Sequence, residues 1–320
     1  MAVPSRRRCA LLSICVVLLW LLVWNRQGSL PSMSSPEQLL IAIEVSGAAR
    51  GDEALRRFSS SLLEYFILPE RRRASFDMFL WLQDDAAEEL LHSLLTAKRG
   101  AVRHCTSRRR AMLQLRTGPF DEASDIATDH PSADFGNAWR ADMSFNTLRM
   151  LHKLRGAAWL RLHASGDAKY IWVLRIRPDI ELQTLLPLPV VRPPPRVALV
   201  PWRCHSESLL TDQLLLLSAI DTDSGAATGA GGSAAAVTSA TMLGPIGDMW
   251  QQVRQLSSAS QPPTLYPERL VWHALRHWDV RQWLPESELS FVLVGPGSDT
   301  RDPLAKLRAD YPRCFGVESS

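Results

Sequence analysis

Tyr170-Ile171-Trp172-Val173-Leu174-Arg175-Ile176-Arg177-Pro178-Asp179 runs five strand-forming residues straight into two arginines and a carboxylate. An unbroken apolar run of this length suits a strand covered on both faces, as in a parallel sheet. Pro178 ends the ladder because it has no N–H to donate. The charges are therefore expected at the carboxyl end of the strand, where open α/β sheets bind ligands. Arg175 and Arg177 alternate with Ile176 and share one side of the strand. Guanidinium groups in that position can clamp phosphate oxygens with paired hydrogen bonds. Asp179, at the lip of the sheet, can hold a hard divalent cation through oxygen. Such a cation would bridge a diphosphate and stabilise it as a leaving group. The competing reading is a structural Arg–Asp network at a strand end.

The chain upstream supports a parallel sheet. Leu39–Val45 is a strand-length apolar run, followed by the turn Ser46-Gly47-Ala48-Ala49-Arg50-Gly51. A helix is predicted over 52–68, with Leu55, Phe58, Leu62 and Phe66 on one face and Asp52 and Glu53 in the first turn. Asp77–Leu82 is a second strand, so the opening is a βαβ unit. Helices are predicted near 86–98 and 137–162, and residues 99–135 show no clear period. Downstream, Val197–Pro201 and Thr211–Leu217 are predicted strands. Residues 223–241, almost wholly Gly, Ala, Ser and Thr, are predicted to be a flexible insertion spanning about 221–242. Helices near 247–256 and 267–277 and strands at Val280–Leu284 and Phe291–Val294 complete the pattern.

Three further groups are candidates for chemistry. Ser46, Gly47 and Arg50 follow the first strand, where a glycine permits close backbone approach and the next helix start attracts anions. A plain tight turn is the alternative. Asp212, with Gln213 beside it, opens a strand and can bind an acceptor hydroxyl and take its proton; a capping role is the alternative. Glu268 follows Pro267 and is either catalytic or a first-turn acid behind a helix-starting proline. His205 and His273 have no triad context, and no nucleophile elbow, P-loop or zinc-protease motif is present.

Composition excludes disorder: 46% of residues are hydrophobic and 22% charged. The net charge of +3 reflects Arg6, Arg7, Arg8 and Arg26, which flank one apolar run. Without those four, acidic residues are in slight excess, and no basic footprint for nucleic acid remains. The run from Cys9 to Trp24 spans ~24 Å as a helix, enough for a thin membrane of the early secretory pathway. No Ala-x-Ala site follows it, so a signal anchor is expected rather than a cleaved signal peptide. Residues 1–8 are then a cytosolic tail, 9–24 the membrane helix, 25–38 a polar stem and 39–320 a luminal domain in the Golgi or ER. Of the three cysteines beyond the anchor, Cys105, Cys204 and Cys314, an oxidising lumen permits one internal disulfide and leaves one thiol.

Taken in order, the motifs resemble a family of GT-A-like nucleotide-diphospho-sugar transferases found in plants, algae, protists and large viruses. They are Ser46-Gly47-Ala48-Ala49-Arg50, Asp77-Met78-Phe79, Trp139 with Met143, Arg175-Ile176-Arg177-Pro178-Asp179, Asp212-Gln213 and Pro267-Glu268. The resemblance implies an α/β, GT-A-like single domain with a mostly parallel central sheet flanked by helices. It also implies a nucleotide-sugar donor, a glycan, protein or lipid acceptor, and a Mn²⁺ or Mg²⁺ ion, with Asp179 in the place of the Asp-x-Asp carboxylate. Arg177 stands where the first acid of that motif belongs. The expected function is sugar transfer by a single-pass type II enzyme. The alternative is a non-catalytic luminal protein that keeps the fold and binds glycans or a partner enzyme.

Overall fold

The computed structural model describes residues 38–115, 141–164, 168–189, 192–204, 208–219, 249, 267–283, 290–295 and 299–315. Contacts divide the chain at Gln38–Leu39, and the unit from Leu39 onward carries the described elements. The expected anchor, the stem, the insertion at 221–242, the helix at 247–256 other than Met249, and Trp139 lie outside the described residues. No helix among the described residues is long and apolar enough to cross a membrane.

The first elements follow the predicted βαβ order. β1 (Leu39–Gly47) leads to α1 (Asp52–Leu62), then β2 (Ala74–Leu82), α2 (Asp85–Ala97) and β3 (His104–Ser107). α1 continues through one π-helical turn, Leu63–Ile67, into Leu68–Glu70. Pro69 explains the break, because it cannot donate to the carbonyl four residues back. That carbonyl, of Tyr65, instead accepts a hydrogen bond from Leu186 N–H at 2.9 Å. β3 and the adjoining α3 (Arg108–Leu115) fall in the stretch that shows no sequence period. β3 has four residues and only one fully buried side chain, too little for alternation to register. α4 (Ala141–Ala164), β4 (Trp172–Ile176) and β5 (Ile180–Leu182) follow. Next are β6 (Val197–Val200), β7 (Arg203–Cys204), β8 (Leu209–Leu210) and β9 (Leu214–Ser218). α5 (Pro267–Ala274), β10 (Asp279–Gln282), β11 (Phe291–Val294), β12 (Thr300–Arg301) and α6 (Ala305–Asp310) complete the chain.

The main sheet has seven strands in the order β10-β6-β9-β4-β1-β2-β3. β1 pairs parallel with β2 and β4, β2 with β3, and β10 with β6. β9 runs antiparallel to both β4 and β6. Among the described residues no helix intervenes between β6 and β9; the ribbon β7–β8 lies in the connection, and a return without a helical crossover is antiparallel. This is the mixed α/β architecture with a mostly parallel sheet that the sequence leads one to expect. A three-stranded sheet, β12-β11-β5, extends from the turn after β4.

Helices cover both faces of the main sheet. Ile41, Ile43, Val45, Phe76, Met78, Leu80, Leu174 and Ile176 face α1 and α2 through Leu55, Phe58, Phe66, Leu91 and Leu95. On the opposite face Phe79, Trp81 and Val173 meet Ala157 and Leu160 of α4, and Leu215 and Leu217 meet Leu151 and Leu154. Gly156 of α4 lies so close to the Trp81 indole that a Cβ there would overlap the ring. Cys204 and Cys314 form a disulfide that ties the β7–β8 ribbon to the segment after α6, and Cys105 stays a thiol whose burial pushes its pKa up to about 12.

Candidate active site

The carboxyl ends of β1 and β4 meet the amino end of β9. The reversal of β9 is what puts Asp212 and Gln213, the two residues just ahead of it, at that end. Arg177 N–H donates to Gln213 C=O at 3.2 Å, extending the β4–β9 pairing by one residue. Sequence reading opened the strand at Thr211; Asp212 and Gln213 instead form the bend before it.

Arg177 is the hub. Its Nε donates to Asp179 Oδ1 at 3.0 Å and its Nη2 to Asp179 Oδ2 at 2.7 Å. Its Nη1 lies 3.6 Å from Asp212 Oδ2. Arg50, from the β1–α1 turn, brings Nε to 3.7 Å from Asp179 Oδ2. Burial opposes the Arg177 charge, but the carboxylates of Asp179, Asp212 and Glu268 outweigh it and push its pKa above the ordinary value. Glu268, in the first turn of α5, is therefore within electrostatic reach of the same guanidinium. Arg50, Arg177, Asp179, Asp212 and Glu268 thus belong to one constellation drawn from four parts of the chain.

Gly47 shapes how β1 meets the turn after β4. Its φ of 144° lies in the glycine region, and a Cβ would sit 3.0 Å from Pro178 Cδ. The bare backbone lets the end of β1 pack against the turn that carries Asp179.

Arg175 is inside the sheet rather than at its lip. It pairs across the sheet with Glu44 of β1 and Leu215 of β9 and is 1% exposed. None of its three guanidinium nitrogens has a hydrogen-bond partner. Burial lowers its pKa to about 10, opposed by attraction to Asp212 and Glu44. Glu44 itself accepts a hydrogen bond from Arg161 Nε of α4 at 2.8 Å, and both are buried. Ser46 Oγ and Gln213 Oε1 are also buried without a partner. Buried polar groups are ordinarily satisfied, so these three orphans around one strand end are an exception that sets this end of the sheet apart.

A cavity of about 400 Å³ adjoins this cluster. Ala49, Gly51, Asp52 and Leu55 line one side, and Gln83, Asp84, Ala86, Ala87 and Leu90 the other. The β1–α1 turn is common to both places: Ala49 and Gly51 line the cavity while Arg50 reaches Asp179. Gly51 precedes α1 with φ 102°, and no side chain caps that helix start. Asp84, in contrast, caps α2 by accepting from Ala86 N–H at 2.8 Å.

Sequence reasoning missed several of these contributors. Glu44 interrupts the apolar run of β1, and a lone acid inside a buried strand was the signal available. Gln83 and Asp84 follow β2 as Ser46 and Gly47 end β1, so the βαβ reading itself pointed to them. Asp77 lies away from the constellation. It holds Arg103 through both carboxylate oxygens and accepts from Tyr170 Oη at 2.8 Å, which joins β2 to the approaches of β3 and β4.

The carboxylates do not converge on a gap for a cation. Both oxygens of Asp179 are engaged by Arg177, and Asp212 faces the same guanidinium. Among the described residues no three His, Cys, Asp or Glu side chains are grouped to hold a metal ion. The fit to a cation ligated by Asp179 is therefore poor.

No protein-family model and no curated protein matches the chain. Among solved structures it is similar to the apo form of mouse xyloside xylosyltransferase 1, at 8% identity over 75% of this chain and 81% of that one, with a TM-score of 0.36. That overlap is too loose to carry fold or function across.

Proposed function

We propose that this protein is a GT-A-like glycosyltransferase that moves a sugar from a nucleotide-sugar donor to a glycan, protein or lipid acceptor. The observation that carries this reading is that one turn, β1–α1, both lines a cavity of about 400 Å³ and sends Arg50 to the Arg177–Asp179 cluster. Open α/β sheets take their ligands at this edge, beyond the carboxyl ends of the strands. In this reading the base and ribose take the cavity between α1 and α2, whose volume is about 400 Å³. We assign the diphosphate to the uncapped start of α1, beside Arg50, whose partner Asp179 also holds Arg177. Asp212 faces Arg177 Nη1, away from the Nε and Nη2 that hold Asp179, and Glu268 is within electrostatic reach of the same guanidinium.

The chemistry needs two services from these residues. An acceptor hydroxyl attacks the anomeric carbon, and the bond from that carbon to the diphosphate oxygen breaks, its electron pair leaving with the diphosphate. Guanidinium N–H groups stabilise the charge that develops there. The acceptor proton passes to a carboxylate, for which Asp212 and Glu268 are the available groups.

We place the enzyme in the secretory pathway as a type II protein. The apolar run Cys9–Trp24 behind Arg6–Arg8 supports a signal anchor. The Cys204–Cys314 disulfide supports an oxidising lumen.

The test is thermal unfolding of the full chain in mild detergent with UDP-, GDP- and CMP-linked sugars. A donor at about a hundred times its Kd adds about 2.7 kcal/mol to the folded state and raises Tm by several degrees. One nucleotide class is expected to do so. No rise with any class refutes the reading and favours the non-catalytic alternative.

A further inference from the structure

One guanidinium occupies the middle of the carboxylate set. Arg177 engages Asp179 on one side through Nε and Nη2 and faces Asp212 on the other through Nη1. A site that works through a divalent cation leaves that middle position to the ion and its oxygen ligands. Here a covalently attached cation already has it. Arg177 also stands in the sequence where an Asp-x-Asp motif would supply its first acid. Arg177 therefore brings a positive charge, and no oxygen ligand, to that position.

The cluster holds more cation than Arg177 alone. The side chain of Arg50 is 45% exposed and that of Arg177 23%, so both are partly open to solvent. Arg175 lies one strand row deeper, with every guanidinium nitrogen lacking a hydrogen-bond partner. A buried guanidinium of that kind contributes its field at short range in a medium that screens poorly. Against these three arginines stand Asp179 and Asp212, with Glu268 at longer reach of Arg177, and Glu44, itself held by Arg161, beside Arg175.

We propose that the guanidinium groups of Arg50 and Arg177, backed by Arg175, take the place of a divalent cation at the donor diphosphate, so that this protein binds its nucleotide without metal. The proposal rests on the reading of this edge as a nucleotide-sugar site. Arginine matches the diphosphate with directional N–H donors, which a hydrated cation does not supply. In the transfer step the breaking bond leaves its electron pair on the diphosphate oxygen, and the neutralising charge is already fixed in the protein.

The experiment is calorimetric titration of the full chain in mild detergent with UDP, GDP, CDP and ADP, once in excess EDTA and once with Mn²⁺. At least one nucleotide is expected to bind with a Kd in EDTA within about twofold of that with Mn²⁺, a difference below about 0.5 kcal/mol. Arg177→Gln and Arg50→Gln are expected to weaken that binding by about tenfold or more in EDTA, with unfolding midpoints recorded to exclude misfolding. Binding that weakens by about tenfold or more in EDTA overturns the proposal but leaves the transferase reading standing. Absence of binding to every nucleotide in both buffers overturns both. The wild-type comparison requires no variant and decides the matter even if the substitutions unfold the chain.

Discussion

Replacing Arg175 with methionine is expected to make this protein more stable and less able to bind nucleotide. The side chain is 1% exposed, and none of its nitrogens is hydrogen-bonded. Burial brings its pKa from 12.5 down to about 10, net of attraction to Asp212 and Glu44. At 1.36 kcal/mol per pKa unit, that displacement corresponds to a penalty of about 3 kcal/mol for holding the charge inside the sheet. Methionine is unbranched and apolar and follows the same path beside Leu215, leaving a small void that costs about 1 kcal/mol. Glu44 keeps Arg161 at 2.8 Å and Asp212 keeps Arg177 at 3.6 Å, so neither carboxylate is stranded. The net gain is about 2 kcal/mol, or a Tm rise of about 3 °C for a unit of this size. Thermal unfolding near neutral pH measures the first effect and nucleotide titration the second. A Tm that falls by the equivalent of about 3–5 kcal/mol, the usual cost of breaking a buried charge pair, would falsify the account. Arg175 would then be a structural partner rather than a charge kept for a ligand.

Two further outcomes follow from packing and charge. Glu88 is 1% exposed, and burial lifts its carboxyl to about 7, although Leu82 N–H donates to Oε1 at 2.7 Å. The folded pKa exceeds the unfolded one, so the stability this group contributes is full below about pH 4.5 and lost as pH rises through 7. Glu88→Gln keeps the acceptor for Leu82 and should be more stable than wild type by about 3 kcal/mol at pH 8 but equal to it near pH 4. Parallel Tm profiles across that range would rule this out. Gly156→Ala places a methyl against the buried Trp81 ring. Overpacking costs about 1–3 kcal/mol in general, and this overlap, with a ring that cannot move, belongs at the upper end; the helix-propensity gain offsets about 1 kcal/mol. A fall in denaturation midpoint with unchanged m-value is expected, and a stabilised Gly156→Ala would show that α4 does not lie on Trp81 as described.

The elements best marked in the sequence are those whose side chains are buried on both faces or on one helical stripe. β1, β4 and β11 announce themselves as apolar runs, and α1 shows its stripe at Leu55, Phe58, Leu62 and Phe66. β3 and α3 did not, because His104-Cys105-Thr106-Ser107 and Arg108-Arg109-Arg110 bury little at the edge of the sheet. The amino end of α1 was legible from Asp52 and Glu53, whereas its π-helical turn depends on Pro69 and on Leu186 more than a hundred residues away.

The candidate site divides in the same way. Residue type and strand position alone determined that Arg177 and Asp179 would stand at a carboxyl strand end, because alternation and Pro178 allow little else. Only the tertiary structure decided that Asp212 joins them. That depends on β9 running against β4, a consequence of a connection without a helical crossover, and strand direction leaves no trace in local periodicity. The same holds for the charges. Arg175 and Arg177 look alike in the sequence, two residues apart on one side of one strand. Folding gives one of them two carboxylates and the other none within hydrogen-bonding distance, because the sheet ends between them.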